Sequence, residues 1–518
     1  MIFRSPYQPI TIPEVAFTPF LLERIKRFGN RTAFVDASNG RKVSFAEFYD
    51  AVLAGAYGLH RFGFKKGDVF AIYLPNSIEY AIAFHAVSLL GGIVTTANPL
   101  CTSQELSGQL KDSRTRFLLT APELMEKAVG AITGSEVQEI FVVGESPPAV
   151  PFSSFIKEKG SIPDISIHPQ EDLVAMPYSS GTTGFPKGVM LTHRNLIANL
   201  LQIEASKIFH PEDVVICVLP LFHIYGLMVI LNECLYLGCM NVMMRRFDLE
   251  RLLKNIETFG VTLAPLVPPI VLALAKQSMI SGYDLSQLKT IFCAAAPLSA
   301  DLTRECSERI GCLIKQGYGM TEASPATHMS PHERARIKSG SVGVCVPNTQ
   351  CKVVDEQGKE LNANQEGEIL VRGPQVMKGY LNQPQATASA IDEEGWLRTG
   401  DIGFADEEGN FYIRDRVKEL IKYKGYQVAP AEIEAVLLTH PMIADAAVIP
   451  SADPEAGEVP KAFVVLKGDV ALPEIQDYVA SRVAPHKKIR RIEQIDQIPK
   501  SPSGKILRRI LVQRERGQ

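Results

Sequence analysis

The stretch Tyr178–Gly188 reads Tyr-Ser-Ser-Gly-Thr-Thr-Gly-Phe-Pro-Lys-Gly and combines glycines, hydroxyl side chains and one lysine. Glycines let backbone amides turn inward, and hydroxyls and an ammonium bind phosphate oxygens, so the stretch predicts a loop for nucleotide phosphates. A Walker-type loop needs Ser or Thr directly after Gly-Lys, whereas Lys187 is followed by Gly188. A plain polar turn is the alternative. The candidate phosphate-binding residues are Ser179, Ser180, Gly181, Thr182, Thr183 and Lys187.

A second polar stretch, Gln316–Glu322, reads Gln-Gly-Tyr-Gly-Met-Thr-Glu after the strand-like Leu313-Ile-Lys. Tyr318 can stack on a purine ring, and the Thr321 hydroxyl can donate to an α-phosphate. The Glu322 carboxylate can bind Mg²⁺, which prefers oxygen ligands. Taken alone, Gly-Tyr-Gly is also typical of a turn.

Thr399-Gly-Asp401 ends an extended stretch after Trp396. One carboxylate can accept hydrogen bonds from two neighbouring ribose hydroxyls, which makes Asp401 a candidate ribose ligand. Arg416 would lie near the same sugar and its phosphate. The alternative for Asp401 is a turn-capping role.

The chain's tail, Arg482–Arg516, is rich in Lys and Arg and contains the loop Ser-Pro-Ser-Gly-Lys505. A nucleic-acid patch and a solvated face are two interpretations. The third, which we favour, is that Lys505 brings one ammonium to the point where a carboxylate attacks an α-phosphate. Such a preorganised cation stabilises the negative charge that gathers in the transition state.

Apolar strands alternate with helical patterns from about residue 44 to 144, and again from 172 to 319. This alternation predicts two α/β subdomains with mostly parallel sheets. After Pro331 short strands with turn signals predict a small β subdomain, and the last hundred residues alternate again. The predicted domains are an N-terminal nucleotide-binding domain, 1–416, and a C-terminal domain, 417–518.

Composition excludes several classes of protein. A net charge of −3 argues against a nucleic-acid-binding chain, and nine scattered cysteines without a Cys-x-x-Cys pair favour reduced thiols over disulfides or a zinc site. We expect a cytoplasmic protein, since neither a signal peptide nor a Ser-Lys-Leu ending is visible.

Val214–Leu231 has the length of a membrane span. Pro220, His223 and Gly226 interrupt it, so we interpret it as a buried strand, a loop with His223 and Tyr225, and a core helix.

Together these motifs resemble the adenylate-forming superfamily of acyl-CoA synthetases and luciferases, and most of all its 4-coumarate:CoA ligases. The resemblance extends from Ile2-Phe-Arg-Ser to Pro499-Lys-Ser-Pro-Ser-Gly-Lys-Ile-Leu-Arg. It implies the adenylate-forming fold, in which the small α+β C-terminal domain is a mobile lid. It also implies ATP, Mg²⁺ and coenzyme A as substrates and cofactors, Gln316 and Gly317 as nucleotide-binding residues, and catalytic roles for Thr321 and Lys505.

The same resemblance implies a thioester-forming face and a hinge. Lys418 matches the family's hinge, and Lys422 and Gln427 match residues that act on the adenylate when CoA arrives. Lys424, Gly425 and Arg246 match CoA-binding positions. His223 matches a histidine that lines the acyl site, although a lone histidine among apolar residues is more often a core group.

The acid-binding positions of 4-coumarate ligases match a nearly apolar set in this chain. They are Tyr225, Val229, Phe292, Ala295, Gly317, Pro325 and Ala326. Plant relatives commonly carry serine at Val229 and methionine at Phe292. Because Val229 and Phe292 differ from the residues of these relatives, we predict that cinnamate is used at least as well as 4-coumarate.

The predicted function is an acid:CoA ligase that forms an acyl-adenylate and then the CoA thioester of a cinnamate-type acid. A medium- or long-chain fatty acyl-CoA synthetase is the alternative. An amino-acid adenylating enzyme would need an acidic anchor for the substrate ammonium, which neither 225–229 nor 292–296 contains. A non-enzymatic nucleotide-binding scaffold would have no use for Lys505.

Overall fold

Two nine-stranded sheets and two five-stranded sheets organise the parts of the chain that the computed structural model describes, which are residues 1–156, 160–179, 186–424, 426–502 and 504–516. Parallel strands dominate the middle of both large sheets, as the alternation predicted. The first large sheet has the order Tyr178–Ser179, Lys187–Thr192, Leu173–Ala175, Ile93–Thr96, Val69–Ile72, Thr115–Thr120, Glu139–Val142 and Val150–Pro151, with Gly379–Tyr380 paired to Lys187–Thr192. The second has the order Val344–Cys345, Ala326–Met329, Leu313–Gly319, Thr290–Cys293, Leu263–Leu266, Val214–Cys217, Met240–Met243, Thr32–Asp36 and Lys42–Ser44.

Helices cover these sheets, and one large apolar core joins them. The α-helices of this region are Phe17–Ile25, Phe45–Arg61, Ile78–Leu89, Ser103–Asp112, Met125–Ala131, Phe152–Phe155, His193–Ala205, Glu233–Leu237, Leu249–Phe259, Pro268–Lys276, Ala300–Ile310 and Pro384–Ala390. Ile78–Leu89 is buried nearly all round, because it packs between the helices Phe17–Ile25 and Phe45–Arg61 on one side and the strands Val69–Ile72 and Ile93–Thr96 on the other. The two predicted α/β subdomains are therefore confirmed.

The segment 172–177 before the phosphate loop predicts a buried strand, and the segment 189–195 after it predicts the start of a helix with Thr192 as the N-cap. The structure confirms this strand–loop–helix unit only in part. Thr192 caps the helix His193–Ala205 as predicted, and its side chain and that of Asn195 bond each other's backbone amides. The residues before it, Lys187–Thr192, form a strand instead of the start of the helix. This strand pairs antiparallel with Tyr178–Ser179, so the two ends of the loop are held in register.

The apolar segment that follows contains a strand, Val214–Cys217, and then a π-helix, Tyr225–Asn232. His223 precedes the helix as predicted, but Tyr225 is its first residue and not part of a loop. A π-helix has more residues per turn than an α-helix, so a periodicity of 3.6 does not reveal it. Within the described ranges, no helix combines the length and apolarity that crossing a bilayer requires.

The predicted β subdomain is a five-stranded antiparallel sheet. Its strands, in order, are Ile2–Arg4, Gln350–Val354, Gly367–Arg372, Leu397–Ala405 and Phe411–Arg416. The first strand was not predicted, because it is three residues long and its partner, Gln350–Val354, is distant in sequence. A separate apolar core with Phe3 and Phe411 lies under this sheet.

The last hundred residues form their own sheet and core, as predicted. The strands are Tyr426–Val428, Ile421–Tyr423, Gly457–Leu466 and Ile443–Asp453, with Arg491–Gln494 beside Gly457–Leu466. The α-helices are Pro430–Leu438, Leu472–Ala480 and Arg508–Glu515. The domain boundary at 416/417 stays a prediction.

Asp415, at the end of the small β subdomain's last strand, contacts the start of Pro430–Leu438, the first helix of the last hundred residues. Its Oδ2 accepts a hydrogen bond from the backbone N–H of Ala431 at 2.8 Å. Ala429, the residue before that helix, has no side chain that could cap it. A carboxylate from one domain therefore satisfies an amide at the helix start of the other.

Candidate active site

The Glu322 carboxylate accepts hydrogen bonds from hydroxyl groups beside the strands that flank the phosphate loop. Its Oε1 accepts hydrogen bonds from the Ser179 hydroxyl and the Tyr380 hydroxyl, both at 2.9 Å. The ammonium of Lys187 lies 4.9 Å from the centre of the Tyr380 ring. Ser179, at one end of the predicted phosphate loop, thus bonds the predicted Mg²⁺ ligand directly, and Lys187, at the other end, lies beside Tyr380, which bonds the same carboxylate. Ser180, Gly181, Thr182 and Thr183 lie outside the described residues.

Asp401 and its partners form the second group. The Tyr318 hydroxyl donates to Asp401 Oδ2 at 2.5 Å, and Arg416 Nε lies 3.2 Å from Oδ1. Asp401 and Arg416 face each other across neighbouring strands. Burial raises the pKa of Asp401, although the charge of Arg416 acts against this. The arrangement leaves lone pairs on both carboxylate oxygens for further hydroxyl donors.

Lys505, from the tail of the chain, lies near enough to these carboxylates to interact with them electrostatically. Burial lowers the pKa of Lys505, and so does the neighbouring charge of Arg416, whereas Asp401, Glu322 and Glu419 raise it. The backbone of the loop fixes its position: Ser501 N–H donates to the Lys505 carbonyl at 2.8 Å. Gly504 has a φ of +79°, and a Cβ there would lie 2.9 Å from Val267 Cγ2, so the loop packs tightly on the large domain.

Two other predicted nucleotide-binding residues lie on the strand Leu313–Gly319 or directly after it. Gln316 is buried and its Nε2 donates to the Leu298 carbonyl at 3.4 Å. Thr321 begins the short 3₁₀ turn Thr321–Ala323, which also contains Glu322. The strand runs further than the sequence indicated, through Gly317 and Tyr318 to Gly319.

Predicted acid-binding residues from this strand and from the π-helix pack around Phe292. Phe292 lies across Gly317, since a Cβ on Gly317 would be 2.5 Å from its ring. The Tyr225 ring meets the Phe292 ring edge-on at 6.1 Å, and its hydroxyl donates to the Phe292 carbonyl at 2.9 Å. The remaining positions are Val229, buried on the π-helix; Ala295, with a φ of +78°; and Pro325 and Ala326, next to Gly319.

Comparison with known proteins decides the family. Residues 21–381 match the model of the AMP-binding enzymes, and residues 432–505 match the AMP-binding enzyme C-terminal domain. The chain belongs to the AMP-binding enzyme family.

Named relatives narrow the class of AMP-binding enzyme. The chain is 43% identical to a 4-coumarate–CoA ligase of Pinus taeda over 98% of this chain and 97% of that one. It is 44% identical to 4-coumarate–CoA ligase 2 of Nicotiana tabacum, with 99% and 96% covered. Among solved structures, the anthranilate CoA ligase AuaEII with anthranoyl-AMP superposes with a TM-score of 0.90 at 26% identity, covering 98% of each chain. The chain is an AMP-forming acid–thiol ligase.

The residues that the resemblance assigned to the second half-reaction do not join the Asp401 group in this AMP-binding enzyme. Lys422 and Gln427 are exposed and lie opposite each other in the hairpin 421–428. Gln427 Nε2 donates to Glu356 Oε1 at 2.6 Å. Lys505 thus lies near the Asp401 group in this structure, whereas Lys422 and Gln427 do not.

The other CoA and hinge positions are also exposed. Lys418 lies in the turn Arg416–Glu419, where the Glu419 N–H donates to the Arg416 carbonyl at 2.9 Å. Lys424 has a φ of +46°, and Arg246 follows the strand Met240–Met243. Gly425 lies outside the described residues.

Sequence reasoning missed Tyr380 and Glu419. Tyr380 bonds Glu322 and faces Lys187, and Glu419 bonds Arg508 and interacts with Lys505. The only signal for Tyr380 was the dipeptide Gly379-Tyr380, which pairs with the strand Lys187–Thr192. Nothing in the sequence distinguished Glu419 from the other charged residues of the hinge.

His223 has a defined tautomer in this arrangement. The Tyr225 backbone N–H donates to His223 Nδ1 at 3.3 Å, so the proton of the neutral ring is on Nε2. Burial lowers the pKa of His223 to about 3, and the charge of Lys505 contributes. In this domain orientation His223 is a neutral hydrogen-bond donor and not a base.

We expect the buried, neutral His223 to make folding sensitive to acid. The unfolded chain takes up a proton as the pH falls below roughly 6.5, whereas the folded chain does so only near pH 3. The free energy of unfolding should therefore fall by up to about 1.4 kcal/mol per pH unit between these values. In His223→Asn this part of the decline should be absent in urea titrations from pH 7 to pH 4. The exposed His60→Asn variant is the control, and equal pH slopes in both variants would contradict the prediction.

Proposed function

We propose that this ATP-dependent acid:CoA ligase activates a cinnamate-type aromatic acid in two steps. The observation that carries the proposal is the position of Lys505, which comes from the tail of the chain yet lies near enough to Arg416, Asp401 and Glu322 for their charges to act on its ammonium. Near full-length similarity to 4-coumarate–CoA ligases supports the class of acid.

In the first step a carboxylate oxygen of the acid attacks the α-phosphorus of ATP, and the bond from that phosphorus to the β-phosphate oxygen breaks. Pyrophosphate leaves and an acyl-adenylate remains. Asp401 accepts hydrogen bonds from the ribose hydroxyls, and the Tyr318 ring stacks on the adenine. Lys505 and Arg416 stabilise the negative charge that gathers on the α-phosphate, while Thr321 donates to one of its oxygens.

Glu322 suits a magnesium ion, because its buried carboxylate is surrounded by the hydroxyl oxygens of Ser179 and Tyr380 and Mg²⁺ prefers oxygen ligands. When bound there, Mg²⁺ would neutralise part of the charge of the ATP phosphates. Lys187 and the hydroxyls of the 179–183 loop then hold the leaving pyrophosphate.

In the second step the thiolate of CoA attacks the carbonyl carbon of the acyl-adenylate, and the carbon–oxygen bond to AMP breaks. Lys422 and Gln427 serve this step after the C-terminal domain has turned about Lys418, with Lys424, Gly425 and Arg246 binding CoA. The turn also removes Lys505 from the neighbourhood of His223. One cause of the low His223 pKa is then lost. Because its Nδ1 still accepts from the Tyr225 amide, the ring serves the second step as an Nε2–H hydrogen-bond donor.

The residues proposed to bind the acid favour a phenyl ring without substituents at the end of the pocket that Val229 and Phe292 form. The Tyr225 hydroxyl already bonds the Phe292 carbonyl. Val229 has no polar group, so a substrate hydroxyl buried against it loses its hydrogen bonds to water at a cost of about 1–3 kcal/mol. Phe292 lies over Gly317 and shortens the space, which disfavours ring methoxy groups and long alkyl chains.

We predict that Val229→Ser raises kcat/KM for 4-coumarate relative to cinnamate by several-fold to about tenfold. The added hydroxyl gives the substrate's 4-hydroxyl a partner. Val229→Thr keeps the shape of valine and should shift the ratio in the same direction, while Val229→Ala controls for pocket size. A tenfold wild-type preference for 4-coumarate, or no gain in Val229→Ser, would show that Val229 does not set the choice.

Pyrophosphate release with a panel of acids, each with and without CoA, tests the whole proposal. We expect cinnamate and 4-coumarate to release pyrophosphate, CoA to increase turnover, and ferulate, sinapate and long fatty acids to be poor. Pyrophosphate release by the Lys505→Ala variant gives the background rate. Fast turnover of long fatty acids with little turnover of cinnamate would favour the fatty acyl-CoA alternative instead, which the named relatives do not favour.

A further inference from the structure

Three buried side chains with soft or borderline donor atoms converge behind the nucleotide site. His328 and Cys345 face each other on paired strands, and Cys351 comes from the adjoining five-stranded sheet. His328 Nε2 lies 3.6 Å from Cys345 Sγ and 3.3 Å from Cys351 Sγ. All three donor atoms lie within 4.8 Å of one another. The absence of a Cys-x-x-Cys pair had argued against such a site, because spacing rules do not detect ligands brought together by separate strands.

The hydrogen bonds of His328 orient its free lone pair toward both sulfurs. The Thr327 hydroxyl donates to the Tyr318 carbonyl at 3.1 Å, so its oxygen is left to accept from His328 Nδ1–H at 3.0 Å. The neutral ring then carries no proton on Nε2, which faces Cys345 and Cys351. Metal-binding histidines are held in the same way, with the second ring nitrogen donating to an oxygen.

The distances fit a metal ion better than a pair of thiol hydrogen bonds. One imidazole lone pair can accept one S–H donor well, and here two thiols approach it. Metal–sulfur and metal–nitrogen bonds of normal length place N and S roughly 3.6–3.8 Å apart for angles between tetrahedral and trigonal. The observed separations of 3.6 and 3.3 Å require only small movements.

We propose that His328, Cys345 and Cys351 bind one thiophilic d¹⁰ metal ion, Zn²⁺ or Cu⁺. Binding replaces the thiol protons, which leave to solvent, by two metal–sulfur bonds and one metal–nitrogen bond. Two thiolates neutralise Zn²⁺, which suits a buried site. Three ligands without room for water suit three-coordinate Cu⁺, since all three residues are at most 1% exposed. Among the residues the structure describes, no other group of three His, Cys, Asp or Glu side chains has this geometry.

The site would be separate from the chemistry yet connected to it. The His328 ring lies 4.2 Å from the Phe411 ring and 5.6 Å from the Tyr318 ring, measured between centroids. Tyr318 in turn bonds Asp401. A bound ion would therefore stiffen the packing on which the proposed adenine and ribose contacts depend.

The test uses the full-length, reduced chain under anaerobic conditions. Zn²⁺ and, separately, Cu⁺ are titrated in competition with a chromophoric chelator, and the loaded protein is examined by X-ray absorption at the metal edge. We expect one ion per chain, with two sulfur ligands and one nitrogen ligand. The ion that outcompetes the chelator more strongly identifies the metal.

Variants assign the ligands. Cys345→Ser and Cys351→Ser should each weaken binding by more than about 100-fold, the upper end of what loss of an outer-shell partner causes. Cys306→Ser, at a buried cysteine without a neighbouring histidine, is the matched control and should bind as the wild type does. Failure of both ions to compete for the wild-type chain, or an absorption spectrum with nitrogen and oxygen ligands alone, would overturn the proposal whether or not the variants fold.

Discussion

Lys505→Ala is expected to slow adenylate formation by about 10²–10³-fold or more, which is the usual effect of removing one preorganised charge from a transition state. In the structure the Lys505 ammonium interacts electrostatically with Arg416 and with the carboxylates of Asp401 and Glu322. Lys422 and Gln427 lie in the exposed hairpin 421–428, outside this group. Thioester formation from supplied acyl-adenylate and CoA should therefore remain near the wild-type rate. Pyrophosphate release measures the first half-reaction, and CoA consumption measures the second.

Two variants control this experiment. Lys500→Ala removes a lysine from the same tail, but one whose Nζ bonds Asp445 at 2.6 Å within the C-terminal domain, so both half-reactions should be retained. Lys422→Ala should show the reverse of Lys505→Ala and lose the second half-reaction. Equal loss of both half-reactions in Lys505→Ala would refute the assignment of one face of the domain to each step.

The second large effect is expected from Lys418→Pro. Proline fixes φ near roughly −65° and disfavours the helical region for the residue before it, so the turn Arg416–Glu419 could no longer change its backbone angles freely. One domain orientation should be trapped. Overall turnover should then fall at least tenfold more than the better preserved half-reaction, because each catalytic cycle needs both orientations.

Lys418→Ala provides the comparison, since alanine removes the side chain and leaves the backbone free. It should keep most of the wild-type turnover. Small-angle X-ray scattering with ATP, and then with an acyl-adenylate analogue and CoA, should show a change of shape in Lys418→Ala but not in Lys418→Pro. Normal turnover in the proline variant would mean that the pivot lies elsewhere.

The regular elements could be predicted because each depends on local patterns. The sequence predicts a strand at 69–74 and a helix at 78–90, and the strand Val69–Ile72 and the helix Ile78–Leu89 are observed there, because apolar runs of these lengths are visible in the sequence. Residues 189–192 were predicted to start a helix but belong to the strand Lys187–Thr192, because this segment pairs with Tyr178–Ser179 and Leu173–Ala175. Tertiary pairing there overrides local propensity.

It was harder to predict from the sequence which residues form the candidate site. The residues around Asp401 could be named, because motif resemblance supplied them. Tyr380 and the group of His328, Cys345 and Cys351 could not, because their importance arises only when separate strands bring them within bonding distance. A sequence shows which donors are present, and only the folded chain shows which of them meet.

The hydrogen bond between Asp415 and the Ala431 amide bears on the geometry of domain motion. When one body turns relative to another, each point is displaced in proportion to its distance from the axis, and a hydrogen bond tolerates only a few tenths of an ångström. An axis that passes beside Asp415 lets the C-terminal domain swing through a wide arc while its first helix keeps this partner. Rotation of the domain about a more distant axis would break this hydrogen bond, at a cost of about 1 kcal/mol. If the C-terminal domain turns about Lys418, as proposed, Asp415 lies three residues from the pivot, which is close enough to the axis for this hydrogen bond to be kept during the rotation.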